Sequence, residues 1–241
     1  MRAETRHQLK EDRFRGATFG AAEATVHWTV EHKSKMAIGS VVLAAVVAAT
    51  LGGWYYLNQQ DQKASFQLSQ AVRTLDTPLR APGAPPEPDF PSFTSAKDRA
   101  TEARKQFQTI VDTYPHTRTG EFARYFLGLT ASQLGDTTAA ERDLKAVASS
   151  HNEDLAALSQ LALAAVYRNT NRTKEAIDIY NKLIAKPTRS VGKATAQMEL
   201  ATTYEFSQQP VEAKRIYEQM QKENPASEIA QFAAQKLQEL K

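Results

Sequence analysis

Residues 36–57, MAIGSVVLAAVVAATLGGWYYL, contain no charged side chain. As an α-helix that rises about 1.5 Å per residue, this stretch is about 33 Å long, which matches the hydrocarbon core of a bilayer. Lys33 and Lys35 precede it, and Trp54, Tyr55 and Tyr56 lie at its far end, where aromatic rings favour the headgroup region. The stretch predicts one transmembrane helix. A cleaved signal peptide would have a shorter apolar core, and a buried core helix would have amphipathic neighbours.

The charges on either side of this stretch predict its orientation. Residues 1–35 carry seven lysines and arginines, whereas the twenty residues after it carry only Lys63 and Arg73. Because positive charge is retained in the cytoplasm, we expect residues 1–35 to be a cytoplasmic tail and the rest of the chain to be exported. Within the tail, residues 21–32 have the composition of a short helix.

Composition limits the chemistry that the chain can perform. The 241 residues include no cysteine, and the net charge is only +3, so thiolate metal sites are excluded and no nucleic-acid footprint is indicated. His27 and His32 are five residues apart, which is not the spacing that lets two imidazoles share a metal on one helix face. The sequence has no Walker loop, no Gly-x-Ser-x-Gly and no His-Glu-x-x-His motif. We therefore expect no enzymatic activity, no cofactor and no small-molecule substrate.

Residues 58–94 connect the apolar stretch to the rest of the chain. Ala64, Leu68, Ala71, Val72 and Leu75 have helical spacing, and prolines then recur from residue 78 to residue 91. Proline-rich sequence favours an extended, stiff conformation, so this segment predicts a helix followed by a spacer.

Residues 95–241 are helical in pattern and repeat themselves. A small alanine followed four residues later by a large side chain occurs at positions 103, 140, 176 and 213, so that successive units begin 36 to 37 residues apart. Each unit predicts two helices joined by a short polar turn, at residues 134–136, 169–171 and 207–209. Small residues at Gly128, Ala164 and Ala201 would let the two helices of a unit touch. Residues 227–241 predict a terminal helix that covers the last unit.

This pattern resembles the tetratricopeptide repeat, which implies an all-α helical-repeat solenoid. Three units match over residues 121–227, and a first unit is split by the proline-rich segment. The family's tryptophan is absent, and the repeats exceed the usual length of about 34 residues, which predicts longer connections.

The order of the parts resembles the ancillary subunit family of the bacterial Sec translocon, in which one anchor precedes a periplasmic repeat domain. That resemblance implies an inner-membrane scaffold that handles exported proteins. Residues 107–136, FQTIVDTYPHTRTGEFARYFLGLTASQLGD, are also similar to the repeats of the Tol-Pal-associated coordinator. The alternative is therefore a structural coordinator of the envelope or of cell division.

The resemblance to tetratricopeptide repeats also implies a groove lined by the first helix of each unit. The residues placed there, called the groove face below, are Phe122, Tyr125, Leu129, Gln133, Leu158, Leu161, Arg168, Asn169, Met198, Glu205 and Phe206. Large apolar groups beside a few polar ones would suit an apolar peptide or helix of a partner protein. The alternative is that these side chains only pack between neighbouring helices.

A second candidate contact lies within the apolar stretch. Ser40, Ala44, Ala48 and Gly52 recur every four residues, so they share one face of a helix. Small residues in this arrangement allow close approach of another transmembrane helix, and alanine-rich anchors also produce the pattern by chance.

Overall fold

The computed structural model of the protein describes residues 33–81, 83, 91–223 and 225–240, and the side chain of Met36 is not described. Among these residues, the regular secondary structure consists of α-helices and an isolated β-bridge. Their bounds are α1 Lys33–Asp76, α2 Ala96–Thr113, α3 Arg118–Gln133, α4 Thr137–Ala148, α5 Glu153–Asn169, α6 Thr173–Ala185, α7 Lys193–Phe206, α8 Pro210–Glu223 and α9 Glu228–Glu239. The prediction of an all-α repeat fold is confirmed. The helix expected at residues 21–32 lies outside the described residues.

The chain divides into two compact units, Met1–Tyr56 and Leu57–Lys241. In the second of these, consecutive helices pack against each other from α2 to α9. The pairs α3–α4, α5–α6 and α7–α8 are the helical hairpins that the repeats predict.

Each of these hairpins closes with the same three-residue turn. The middle residue of each turn has positive φ, at Gly135 (80°), Asn171 (61°) and Gln208 (58°). The amide of the following residue donates to the carbonyl five residues earlier in all three turns, for example Asp136 N to Ala131 O at 2.9 Å. This is the Schellman motif, which satisfies carbonyls at a helix end and reverses the chain within one turn. The extra length of the repeats lies between hairpins instead, and it is greatest at residues 186–192.

Small residues let the two helices of a hairpin approach each other, as predicted. A Cβ atom built on Gly128 would lie 2.7 Å from Cγ of Leu144, which projects from the facing helix. Ala164 and Ala201 occupy the same repeat position and are fully buried. The large side chains of the second helices have an exposed fraction of 0% and belong to the three buried clusters of the array: Phe107, Leu144, Tyr180 and Tyr217.

Helix α1 is longer than the sequence predicts. The boundary expected between residues 57 and 58 falls inside one continuous helix of 44 residues. Its C-terminal part belongs to the first repeat unit, where Ala64 and Ala71 are buried with Phe107 and Ile110. The carboxylate of Asp61 also accepts a hydrogen bond from the amide of Thr119 at 2.8 Å.

A longer connection joins the two helices of this first unit. Residues 77–95 replace the three-residue turn of the other units. Its two ends are tied together, because Arg80 N donates to Phe93 O at 2.8 Å and Arg99 donates to the carbonyl of Thr77 at 2.8 Å. The two ends of the insertion therefore lie next to each other. The two helices of the first unit still share one buried cluster.

The first helices lie closer together than the second helices. Helix α5 contacts both α3 and α7, and no comparable contact joins α4 to α6 or α6 to α8 in the described part of the chain. Because the first helices are closer together than the second helices, the array curves with its first helices on the inner side. Helix α9 covers the end of the array, where Leu237 and Leu240 pack on the cluster around Tyr217.

Candidate protein-binding surface

The groove face lies on the first helices α3, α5 and α7, which form the inner side of the array. None of its eleven side chains is buried: Phe122, Gln133, Asn169 and Phe206 are exposed, and the other seven are half-buried. That these residues bind a partner remains a prediction.

The apolar members of the groove face combine packing with exposure. Tyr125, Leu158 and Leu161 pack against the central core cluster, and Met198 packs against the cluster around Tyr217. The Tyr125 ring meets Phe126 edge to face, with ring centroids 5.4 Å apart, and burial raises the pKa of its hydroxyl. These side chains are therefore held in place by the core while part of each surface faces solvent.

Arg168 is engaged inside the array. Its guanidinium pairs with the carboxylate of Glu199 on α7 at 2.7 Å, and the Arg168 side chain is only 17% exposed. Beneath the pair lies the Tyr180 hydroxyl, which has no hydrogen-bond partner of good geometry among the described residues. Burial raises the pKa of the Tyr180 hydroxyl to about 12. The ion pair joins two repeat units. The charge of Arg168 is therefore already neutralised by Glu199.

Glu205, the other charged member of the groove face, is also engaged. It accepts a hydrogen bond from the Tyr217 hydroxyl at 2.5 Å. The charge of Glu205 also helps to raise the pKa of Lys236 on α9, although Glu239 is the main cause of that shift. Arg168 is therefore paired with an opposite charge within the chain, whereas Glu205 is hydrogen-bonded by a neutral hydroxyl.

Sequence reasoning missed one exposed aromatic residue on a first helix. Phe66 in α1 is 66% exposed and lies two residues after buried Ala64, as Tyr125 lies two residues after buried Ala123. The signal was the helical spacing around Ala64, but the long insertion obscured the alignment of the first unit with the others.

The small residues of the apolar stretch have no packing partner in the described chain. Residues 37–59 are all exposed, and a Cβ atom built on Gly52 would meet nothing within 4 Å. Ser40 donates from its hydroxyl to the Ala37 carbonyl at 2.9 Å, so its polar group is satisfied within the helix. One helix in the described residues, α1, is long and apolar enough to cross a membrane. A role for Ser40, Ala44, Ala48 and Gly52 in helix association remains a prediction.

Charged side chains cluster where the second and third units meet on the outer side. Glu141 accepts hydrogen bonds from Lys145 at 2.6 Å and from Arg172 at 2.6 Å, and Lys145 is the main cause that lowers the pKa of Glu141 to about 2. The Arg172 guanidinium lies 4.0 Å from the centre of the Tyr167 ring and also pairs with Glu175. No group of three potential metal ligands occurs among the described residues. This cluster is an inter-repeat contact.

Comparison with known proteins identifies the family. No curated protein and no solved structure matches the chain significantly. The tetratricopeptide repeat-like domain family matches residues 26–241, a range that includes the apolar stretch as well as the repeats. Domains of this kind are typically non-catalytic modules that bind other proteins. The chain belongs to the tetratricopeptide repeat-like domain family.

Proposed function

We propose that this protein is a membrane-anchored scaffold of the bacterial envelope, which binds other proteins through its repeats. Helix α1 carries the proposal, because the same helix contains the exposed, uncharged stretch and the buried Ala64 and Ala71 of the first repeat unit. A core helix of a soluble protein would be mostly buried, whereas the apolar window of α1 is 0% buried. A membrane anchor that continues into the first unit accounts for both properties.

The proposed topology follows from the charges around the anchor. Residues 1–35 form the cytoplasmic tail, residues 36–57 cross the inner membrane, and residues 58–94 lead to the repeat domain of residues 95–241 in the periplasm. Lys33 and Lys35 at the start of α1 support this orientation.

The proposed role is the handling of exported proteins at the Sec translocon. The order of the parts supports it: a short tail, one anchor that ends in aromatic residues, and an exported repeat domain. Coordination of envelope or division machinery is the second candidate, which the sequence of residues 107–136 favours.

A reporter enzyme that is active only outside the cytoplasm tests the topology. Fused after Lys241 it should be active, and fused before Met1 it should be silent. The opposite pattern would place the repeat domain in the cytoplasm and remove the basis for a role in secretion.

Crosslinking in intact cells tests the partner. A photoreactive amino acid at exposed Phe122 should yield adducts with translocon subunits or exported chains, whereas the same residue at exposed Thr138, on the outer helix α4, should not. Adducts with division or outer-membrane-linking proteins would favour the second candidate. Identical adducts from both positions would mean that the groove face is not the binding surface.

A further inference from the structure

A cleft on the outer side of the array, called the first outer cleft below, lies between the first and second units. One wall is a face of α2 and the other is the turn that follows α3, and the volume is about 510 Å³. The described residues that line it include three cations and no carboxylate: Lys97, Thr101, Arg104, Lys105, Gln108 and Leu134. Residues of α2 at this spacing share one helix face, so the positive charges lie in a row along the cleft.

The equivalent cleft between the second and third units, called the second outer cleft, has its charges satisfied within the array. Arg104 of α2 corresponds to Glu141 of α4, because each follows the small alanine of its unit. The ion pair between units therefore has opposite polarity in the two clefts, with Arg104 bound to Asp136 in the first and Glu141 bound to Arg172 in the second. Each cation that lines the second outer cleft pairs with a carboxylate: Lys145 and Arg172 with Glu141, and Arg142 with Asp143.

The cations of the first outer cleft can bind a further anion. Lys97 is exposed and has no ion pair among the described residues. Lys105 pairs with Glu102 at 3.5 Å, and because their side chains are 71% and 42% exposed this contact is weak and readily exchanged. Arg104 binds Asp136 through Nη2 at 2.7 Å, which leaves the other N–H donors of a guanidinium group that is partly exposed. An incoming carboxylate group therefore binds these cations without breaking a buried interaction.

The rest of the lining indicates a polypeptide and not a nucleic acid. None of the described lining residues is aromatic, so the cleft offers no ring on which a base would stack. The Thr101 hydroxyl bonds either a donor or an acceptor, and half-buried Leu134 offers an apolar contact. From Lys97 to Gln108 the cleft wall rises about 16 Å, which matches about five residues of an extended chain.

We propose that the first outer cleft binds a short acidic segment of a partner protein. Carboxylates of that segment pair with Lys97, Arg104 and Lys105, and one of its apolar side chains packs on Leu134. This surface is separate from the groove face, so it gives the scaffold a second contact on the outer side of the array. Because the contact depends on exposed charges, its affinity falls as the salt concentration rises.

Peptide binding to the full chain in nanodiscs of zwitterionic lipid tests the proposal. The probe is a fluorescent peptide of glutamate, leucine and glycine with both ends blocked. In two matched peptides glutamine or lysine replaces every glutamate, and empty nanodiscs give the background. The Kd of the glutamate peptide should rise at least about tenfold between about 50 mM and about 500 mM salt. At the lower salt concentration the other two peptides should bind at least about tenfold more weakly.

Two double variants locate the site. Lys97→Gln/Lys105→Gln should weaken binding of the glutamate peptide at least about tenfold. Lys174→Gln/Lys182→Gln is the matched control, because it removes the same charge from two exposed lysines of α6 that lie outside the cleft. The control should bind within about twofold of wild type, since only long-range attraction is reduced. All four lysines are exposed, and circular dichroism melting verifies that both variants are folded.

Three outcomes would overturn the proposal. Equal weakening by the two double variants would show that net charge alone attracts the peptide, so that the cleft is not a site. Binding of the glutamate peptide no tighter than that of the glutamine peptide, or no better than to empty nanodiscs, would remove the selectivity for carboxylates. Tighter binding of a single-stranded oligonucleotide, weakened by Lys97→Gln/Lys105→Gln, would make nucleic acid the occupant. The groove face would be unaffected in each case, because none of its residues lines the cleft.

Discussion

Two helical segments of this protein use the same small residues in opposite ways. In the apolar stretch of α1, Gly52 lies on an exposed face where an added Cβ atom would meet nothing within 4 Å among the residues that the structure describes. In α3, a Cβ atom on Gly128 would lie 2.7 Å from Leu144 of the facing helix. One glycine leaves a surface open and the other permits a close helix contact. Residue type therefore does not reveal whether a small residue packs, and the neighbouring helix decides it.

The largest expected effect comes from placing charges in the apolar stretch of α1. Val42 and Val46 are 56% and 54% exposed, so in a soluble protein two arginines there would do little. In a membrane-spanning helix they should cost about 6 kcal/mol together, at about 3 kcal/mol for each arginine near the centre. We expect Val42→Arg/Val46→Arg to lose membrane integration, measured by resistance to carbonate extraction.

A matched control adds two arginines elsewhere. Thr138 and Val211 are exposed at equivalent positions on the second helices α4 and α8, so Thr138→Arg/Val211→Arg should remain in the membrane fraction. If the first variant also remained integrated, residues 36–57 would not be the anchor.

The next largest effect is expected on the stability of the repeat domain, at Gly128, which lies against the facing helix. Leucine at position 128 would overlap Leu144, so Gly128→Leu should lower the free energy of unfolding of the repeat domain by about 3 kcal/mol. The melting temperature, followed by circular dichroism, should fall by about 10 °C. Gly52→Leu is the control and should leave that melting temperature unchanged. Equal melting temperatures for the two variants would mean that α3 and α4 do not meet at Gly128.

A smaller effect compares two serines. Ser159 is fully buried, and its hydroxyl has no hydrogen-bond partner among the described residues. Alanine occupies the equivalent position in neighbouring units, at Ala123 and Ala196, so Ser159→Ala should stabilise the fold by about 1 kcal/mol. Ser40→Ala should have no effect on the same unfolding curve. A destabilised Ser159→Ala would indicate that the hydroxyl is satisfied, for instance by a buried water.

The smallest expected effect is a dependence of folding stability on pH. It is expected only in the repeats, because residues 36–57 contain no carboxylate. The native pKa of Glu141 is lowered to about 2 by Lys145, Arg172 and Tyr167. A carboxyl whose pKa is lowered on folding stabilises the native state above its unfolded pKa of about 4.3, and this contribution is lost as the pH falls towards 2. We expect about 1 kcal/mol or less, because its partners Lys145 and Arg172 are partly exposed.

Urea unfolding between pH 6 and about pH 3 measures this contribution. Glu141→Gln should flatten part of the acid slope, whereas Glu153→Gln, in an exposed pair with Lys186, should leave it unchanged. An identical slope in wild type and Glu141→Gln would mean that the cluster does not persist in solution.

Much of the repeat domain could be predicted from the sequence because its signals are local. The spacing of Ala140 and Leu144 gives the helix period, and Gly135 marks a turn that requires positive φ. The alignment of the first unit failed in detail because a long insertion separates its helices, so the role of Phe66 was not visible. The engagement of Arg168 and Glu205 was also missed, because their partners Glu199 and Tyr217 become neighbours only when the helices pack.

The sequence by itself therefore determined that the repeats are pairs of helices, the positions of their turns to within one residue, the order of the repeats and the uncharged stretch of residues 36–57. Each of these depends on the period of apolar residues or on the conformational preference of a single residue, which a short segment already contains. Tertiary structure alone decided that, within the described residues, Gly128 contacts a facing helix and Gly52 does not, that Arg168 pairs with Glu199, and that Glu205 accepts a hydrogen bond from Tyr217. These properties depend on distances between side chains far apart in the chain, which exist only after folding.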